Sequence, residues 1–369
     1  KMIGVYAVGI GADNIINVEI GGLQMQNALV ESTGLYVKNG GFKNTGNILI
    51  NAGDRSFGVY IQGNDNSKNV DFGSGITTVK LGDDSVGAYF KNTTISNMLS
   101  EIEIGDTTGQ IGTQSGVGIF IENTTVLNPI ITNVVTGNKA VGNYFGANSG
   151  NITYNGNLSV GENTTGIYKN GGILTRDPSK STIFSGVNNA SSLGYYLENS
   201  TLDFSSNALN ANTLKMNNGI AFLLKGAGAK VTINGVNITN EDLNKLGLDP
   251  KVERFVYSDK EEIVTEDITL DELARYYGYH TIDGRLEING NIFTSNNILT
   301  TYGVLAQGRY STGNEEVLLK NGKVIDMTNS IGSIAIEALG GARVKNEGTI
   351  KVGLSNSTSS GIGILGESS

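Results

Sequence analysis

The chain of 369 residues contains 52 glycines but only 3 prolines, no cysteine and no tryptophan, and its formal net charge at pH 7 is −9. Without cysteine it can form neither disulfides nor thiolate metal sites. An acidic chain also lacks the basic face that nucleic acids and anionic membranes require, and no apolar run reaches the roughly 18 residues of a membrane helix. We therefore expect no nucleic-acid partner and no membrane span in this part of the protein.

A short motif of glycine, apolar, aromatic and apolar residues recurs along the chain, as in residues 34–39. From residue 4 to residue 219, successive copies start 24 to 31 residues apart, and weaker copies start at 303, 333 and 361. The variable spacing indicates loops of changing length on a constant rung. The aromatic position of the first eight copies is occupied by Tyr6, Tyr36, Tyr60, Tyr89, Phe120, Tyr144, Tyr168 and Tyr196.

Between these copies lies a second motif with apolar residues at alternate positions, as in residues 46–50 and 348–352. Such alternation is typical of a strand with one buried face. Two or three strands per repeat without a helix between them exclude βαβ folds, and one rung cannot bury its apolar face unless rungs stack. We predict an all-β parallel β-helix, or solenoid, of about twelve rungs. A sandwich or a propeller is the structural alternative, although a propeller blade of ~40–50 residues is longer than this repeat.

The alternation also predicts which side chains face the core. In the copy at 34–39, Leu35, Val37 and Asn39 share one side of the strand, and Gly34, Tyr36 and Lys38 share the other. Because the lysine position is charged or polar in most copies, we expect the aromatic residues to face outward with it. The asparagines of these copies are then expected inside, where stacked amides could bond from rung to rung.

Residues 241–285 break the repeat and divide the predicted β-helix into the parts 1–240 and 286–369. They contain 12 acidic and 6 basic residues among 45. Thr239 or Asn240 could cap a helix that starts at Glu241, and Thr269 with Glu272 forms a capping-box pattern for a second helix. We predict a small, mainly helical insertion that projects from the solenoid.

A search for catalytic or cofactor motifs gives little. The single histidine is His280, and no nucleophile motif or zinc ligand set accompanies it. Gly82-Asp83-Asp84 could suggest paired catalytic carboxylates, but a Gly-Asp-Asp corner is ordinary turn chemistry. We therefore expect no cofactor, no metal and no enzymatic activity.

Two sets of residues are candidates for binding a partner. The regular aromatic series could stack on sugars or anchor a protein, but its regularity favours a structural ladder that stabilises the rungs. A specific site more often interrupts a repeat, so the insertion is the stronger candidate. Within the insertion, the candidate partner-binding residues are Arg254, Tyr257, Tyr276, Tyr277, Tyr279 and His280.

The alternating motifs at 34–39, 44–51, 87–92, 118–123 and 346–353 resemble the passenger domains of the very large fusobacterial type Va autotransporter adhesins. The resemblance covers about 1–240 and 286–369. It implies a right-handed β-helix on the bacterial surface, anchored to the outer membrane by a C-terminal β-barrel outside this sequence, and hence a fragment of a longer solenoid. It also implies adhesion to host cells or to other bacteria, as in the arginine-inhibitable and galactose-sensitive members.

Three functions are therefore considered. The first is a non-catalytic adhesin fragment whose partner is a host-cell receptor protein, a host glycan or the surface of another bacterium. The second is a polysaccharide-degrading β-helix enzyme, and the third is a stalk with no binding site of its own.

Overall fold

The computed structural model describes residues 1–9, 16–108, 116–187, 189–270, 277–295, 298–299, 301–308 and 316–367. The chain is 55% strand and 2% helix, and it forms a parallel β-solenoid of about 12 turns. The predicted all-β class, the parallel stacking and the number of rungs are confirmed. The turns fall into two compact units.

Unit 1 comprises residues 1–215 and 230–238. Its strands are β1 (Ile3–Val8), β2 (Ile16–Ile20), β3 (Leu23–Ala28), β4 (Thr33–Lys38), β5 (Gly40–Asn44), β6 (Ile48–Ala52), β7 (Phe57–Gln62), β8 (Asn69–Asp71), β9 (Thr77–Leu81), β10 (Val86–Lys91), β11 (Thr94–Asn97), β12 (Glu101–Ile104), β13 (Val117–Glu122), β14 (Thr125–Val126), β15 (Asn133–Thr136), β16 (Val141–Phe145), β17 (Ile152–Tyr154), β18 (Leu158–Val160), β19 (Thr165–Asn170), β20 (Ile173–Arg176), β21 (Thr182–Phe184), β22 (Leu193–Glu198), β23 (Thr201–Phe204), and, after one strand of unit 2, β25 (Lys230–Ile233) and β26 (Val236–Asn237).

Unit 2 comprises residues 216–229 and 239–369. Its elements are β24 (Asn218–Lys225), α1 (Asn240–Lys245), β27 (Lys251–Ser258), β28 (Glu261–Val264), β29 (Ile268–Leu270), β30 (Tyr277–Ile282), β31 (Arg285–Ile288), β32 (Ile292–Thr294), β33 (Ile298–Leu299), β34 (Tyr302–Gln307), β35 (Glu316–Leu319), β36 (Val324–Asp326), β37 (Ser330–Ile331), β38 (Ile334–Leu339), β39 (Arg343–Asn346), β40 (Thr349–Lys351) and β41 (Ile362–Glu367).

Each unit has one main sheet in which every turn of the solenoid contributes one strand. In unit 1 its order is β1-β4-β7-β10-β13-β16-β19-β22, and in unit 2 it is β24-β27-β30-β34-β38-β41. The remaining strands of unit 1 form the sheets β14-β11-β8-β5-β2, β21-β18-β15-β12-β9-β6-β3 and β17-β20-β23-β25-β26. Those of unit 2 form β28-β31-β35-β39, β29-β32-β36-β40 and β33-β37. The pairings within these sheets are parallel, except for the antiparallel pair β25–β26.

The core of each turn is filled as the alternation predicted. Leu35 and Val37 of β4 are fully buried, whereas Tyr36 and Lys38 between and after them are half-buried. Gly34 differs from its prediction, because it faces the core and not the outside. A Cβ atom at Gly34 would lie 2.4 Å from Cδ1 of the core residue Ile50. Gly34 and Leu35 therefore both face the core, which interrupts the strict alternation, and only glycine fits at the first of these two positions.

The asparagines that follow the main-sheet strands are not buried as predicted. Asn39, Asn92 and Asn123 are half-buried, Asn199 is exposed, and all four have φ between 44° and 56°. This left-handed conformation, which asparagine tolerates better than most residues, ends the alternation at the turn. One predicted amide bond between rungs is present, since Asn123 Nδ2 donates to Asn92 Oδ1 at 2.7 Å.

The mainly helical insertion at 241–285 is not confirmed. Helix α1 has six residues and is capped by Thr239 as predicted, with Asp242 completing a capping box. The second predicted helix fails at both ends, because Thr269 lies in β29 and Tyr277 begins β30. Residues 271–276, including Glu272, lie outside the described part. The charged segment therefore contains the strands β27 to β30, which pair with neighbouring turns. Across the described ranges, no helix is long and apolar enough to cross a membrane.

Candidate functional site

The outer face of the main sheet in unit 1 carries the predicted aromatic series as one continuous column. From Tyr6 to Tyr168 the neighbouring ring centroids are 4.6–5.1 Å apart, and the ring planes differ by at most 15°. Tyr196 ends the column with an edge-on contact to Tyr168 at an interplanar angle of 85°. We call these eight residues the aromatic column.

Stacking limits what the aromatic column can bind. Each inner ring has a neighbouring ring against both faces, so it presents only its rim to solvent. Burial raises the pKa of Tyr60, Tyr89 and Tyr144. A sugar that needs an open ring face cannot stack on these rings. The geometry therefore favours the structural role of the column over sugar binding.

The corresponding column of unit 2 has a different composition. It lies two residues before the end of each main-sheet strand and contains Leu223, Val256, His280, Leu305, Glu337 and Leu365, aligned in register. Val256, His280 and Leu305 are at most 8% exposed although they occupy the outward position. The repeated face of unit 1 is thus replaced here by aliphatic, imidazole and carboxylate side chains.

His280 is held by a carboxylate on the neighbouring strand. Its Nδ1 lies 3.0 Å from Oε2 of Glu253 on β27. Its Nε2 is buried, with no hydrogen-bond partner among the described residues. The pair fixes the imidazole against the sheet, so His280, predicted as a partner-binding residue, is largely buried at 8% exposure.

Tyr277 and Glu337 form a second pair of side chains, next to the pair formed by His280 and Glu253. The Tyr277 ring lies 5.5 Å from His280 and 5.1 Å from Tyr302, and its hydroxyl is 3.4 Å from Glu337 Oε2. Burial raises the pKa of Glu337, and burial together with the Glu337 charge raises the pKa of Tyr277. The carboxylate and the phenol therefore sit in a partly desolvated position on the outer face.

The predicted partner-binding residues are divided between surface and core. Arg254 is half-buried, and its Nη2 donates to Oδ1 of Asn244 in α1 at 2.9 Å. Tyr257 and Tyr279 are only 7% and 8% exposed, so they support the face from within. Tyr276 lies outside the described residues.

Glu253, Arg254, Tyr277 and Glu337 are half-buried and therefore partly accessible to a partner. We call these four residues the outer patch. Sequence reasoning missed Glu253 and Glu337. The weak repeat copy that starts at Ser333 places Ala335 at the aromatic position, so Glu337 is revealed only by the register between β34 and β38.

A shallow cavity of about 390 Å³ lies elsewhere on unit 2, where charged side chains of the β27–β28 and β30–β31 turns line it. Its lysine, Lys260, is 7% exposed and binds Glu262 at 2.6 Å and the carbonyl oxygen of Ala229 at 2.7 Å. Most of the lysine's hydrogen-bonding capacity is therefore used within the fold.

The Gly82-Asp83-Asp84 corner is turn chemistry, as the sequence indicated. Asp83 Oδ1 accepts a hydrogen bond from the backbone N–H of Asp106, and Asp84 Oδ1 accepts one from Thr108, both at 2.8 Å. These bonds connect successive turns. In the described ranges, no group of three or more His, Cys, Asp or Glu side chains is placed to hold a metal ion.

The chain matches no protein-family model, and neither a curated protein nor a solved structure matches it significantly. The fold itself defines the class, which is that of parallel β-solenoid proteins.

Proposed function

We propose that this chain is a non-catalytic fragment of the passenger of a bacterial surface adhesin, of the fusobacterial type Va autotransporter kind. Its partner is a host-cell receptor protein or glycan, or the surface of another bacterium. The sequence resemblance at 34–39, 87–92 and 118–123 supports this class, and a long parallel solenoid suits it, because stacked turns create an extended surface.

The observation that carries the proposal is the change of the outer column between the two units. Specific recognition needs a combination of side chains that the rest of the surface does not repeat. The outer patch provides two carboxylates, a guanidinium and a phenol on β27, β30 and β38. Side chains on paired strands are held in place better than side chains on loops, and tyrosine and arginine are common in binding hot spots.

The test measures binding of the purified chain to host cells, to bacterial cells and to an array of host glycans. We expect Arg254→Glu and Tyr277→Ala each to weaken binding about tenfold, as substitution of hot-spot residues does. Lys230→Glu on β25 is the control, because this exposed lysine also carries one charge but belongs to unit 1. Thermal unfolding of each variant verifies that the fold is retained.

Substitution is preferable to deletion of 241–285, since β27 to β30 are strands of the solenoid. If neither substitution weakens binding relative to the wild type, the assignment of the binding site to the outer patch is overturned. Absence of binding to any cell or glycan would overturn adhesion itself. Release of shortened chains from a polysaccharide would instead support the enzymatic alternative.

A further inference from the structure

The outer face of the main sheet in unit 1 has a charge pattern that the aromatic column alone does not explain. The last position of these strands forms a polar column beside the rings, which is basic toward one end at Lys38 and Lys91 and acidic toward the other at Glu122 and Glu198. On the opposite side of the rings, Val86, Val117 and Val141 belong to a largely apolar column.

These columns specify how two copies of the face could meet. If two copies meet face to face about a two-fold axis parallel to the strands, each column packs against the same column of the other copy. The turns of the two copies then run in opposite directions. A two-fold axis parallel to the solenoid would lay the apolar column against the polar column and desolvate charges without partners, which is costly. The first arrangement, antiparallel and column on column, is therefore the favourable one.

When the axis passes through β13, the middle strand between β4 and β22, Glu122 faces its own copy, and Lys91 of the same chain neutralises each of these carboxylates at 2.7 Å. Two other positions bring opposite charges together. Lys38 of β4 then faces Glu198 of β22 of the other copy. On the turns that precede the strands, Asp84 before β10 faces Lys139 before β16, and both have equivalent backbone conformations with φ of 53° and 56°. Each contact occurs twice by symmetry.

We propose that unit 1 binds a second copy of this chain through this face, antiparallel, about a two-fold axis at β13. A face of seven turns at ~4.8 Å and strands ~17–20 Å long would bury on the order of 1,200 Å² in total, the lower end for specific interfaces. Ring rims and valines fill its centre, and charge pairs set its orientation. This surface is separate from the outer patch, so the inference does not rest on the adhesion proposal.

The test is sedimentation velocity of the full 369-residue chain over a range of concentrations. We expect a concentration-dependent dimer that Lys38→Glu or Glu198→Lys alone weakens roughly 5- to 10-fold. The combined variant Lys38→Glu/Glu198→Lys exchanges the charges of both pairs and restores the dimer. Lys230→Glu on β25 leaves it unchanged. A chain that remains monomeric at every concentration, or a dimer unaffected by the single reversals, overturns the proposal.

The absence of cysteine from the sequence allows a direct check of the orientation. Glu122→Cys places the thiol on β13, next to its own symmetry copy, so a short bis-maleimide should link two chains. Gln62→Cys on β7 faces β19 in the other copy and should not link to itself, but it should link to Asn170→Cys on β19. Linking of Gln62→Cys to itself without linking of Glu122→Cys would contradict the antiparallel register.

Discussion

At the residue scale, the second position of the main-sheet strands in unit 1 is glycine because nothing larger fits. A Cβ atom at Gly58 would lie 2.3 Å from Cγ1 of Val79 and 2.5 Å from the carbonyl oxygen of Gly87. One atom comes from the packed core and the other from the backbone of the next turn, so neither can move aside without a shift of the turn. The sequence reveals the glycine repeat, but the alternation places this position on the wrong side of the strand.

We predict that Gly58→Ala lowers the free energy of unfolding by about 1–3 kcal/mol, the range for overpacked sites. Gly21→Ala is the matched control, because a Cβ there would meet no atom within 4 Å. Denaturant unfolding of the two variants measures the difference. Equal stability of both would contradict the packing assigned to the glycine column.

A buried lysine gives the fold a pH dependence. Lys169 of β19 occupies an inward position and is fully buried, with its Nζ bound to Gly171 O at 2.6 Å and Ser149 Oγ at 3.1 Å. Burial lowers the pKa of Lys169 to about 8. The unfolded chain, with a lysine pKa of ~10.4, therefore binds more protons than the folded chain above about pH 8, and this residue makes stability rise with pH between these two pKa values.

We predict that the stability of the Lys169→Met variant depends less on pH over this interval than the stability of the wild type does. The stability of the wild type relative to the variant should increase as the pH is raised from about 8 to about 10, as the depressed pKa requires. Thermal unfolding at a series of pH values gives the comparison, and the tyrosines titrate equally in both proteins. A constant difference across the interval would show that Lys169 has an ordinary pKa.

At the element scale, the aromatic column connects turns that are 24 to 31 residues apart in sequence. Tyr89 is stacked on Tyr60 and on Phe120, each at 4.7 Å. We expect the Tyr60/Tyr89 pair to contribute about 0.5–1.5 kcal/mol beyond its buried area. A double-mutant cycle with Tyr60→Leu and Tyr89→Leu isolates this coupling. The edge-on pair Tyr168/Tyr196 is the comparison, and a coupling of zero for the stacked pair would refute a stabilising column.

Helix α1 is the element whose start the sequence predicted most directly. The Thr239 side chain accepts a hydrogen bond from Asp242 N, and the Asp242 carboxylate accepts one from Thr239 N. We predict that Thr239→Ala costs about 1 kcal/mol and Thr239→Ser much less. Hydrogen exchange of the amides in 240–246 reports the local loss. Unchanged exchange in Thr239→Ala would mean that tertiary contacts, and not the cap, hold the helix.

The segment 251–285 shows why composition misled at this scale. Its high charge and the Thr269–Glu272 spacing favoured helices, yet Val252, Val256 and Leu270 are buried strand residues. A charged residue is tolerated on a solenoid strand wherever its position faces outward, as at Glu253 and Glu261. Local patterns could not show that neighbouring turns would supply the pairing partners.

At the scale of the whole molecule, the repeat predicted the fold, and departures from the repeat mark the candidate site. Stacked turns depend mainly on their nearest neighbours, so the motif spacing was enough to predict parallel stacking and about twelve turns. The outer patch was only partly predictable, because Glu253 and Glu337 gain their role from register between turns. Tyr257 and Tyr279 fill the interior where exposed tyrosines were expected.

We propose that recognition occurs where the outer column changes, on β27, β30 and β38. Hydroxyl-radical footprinting of the chain, free and bound to cells, measures this most directly, because tyrosine side chains report contact individually. We predict protection of Tyr277 on binding, with no change at Tyr36 and Tyr60 of unit 1. Protection confined to the aromatic column, with Tyr277 equally reactive in both states, would contradict the account.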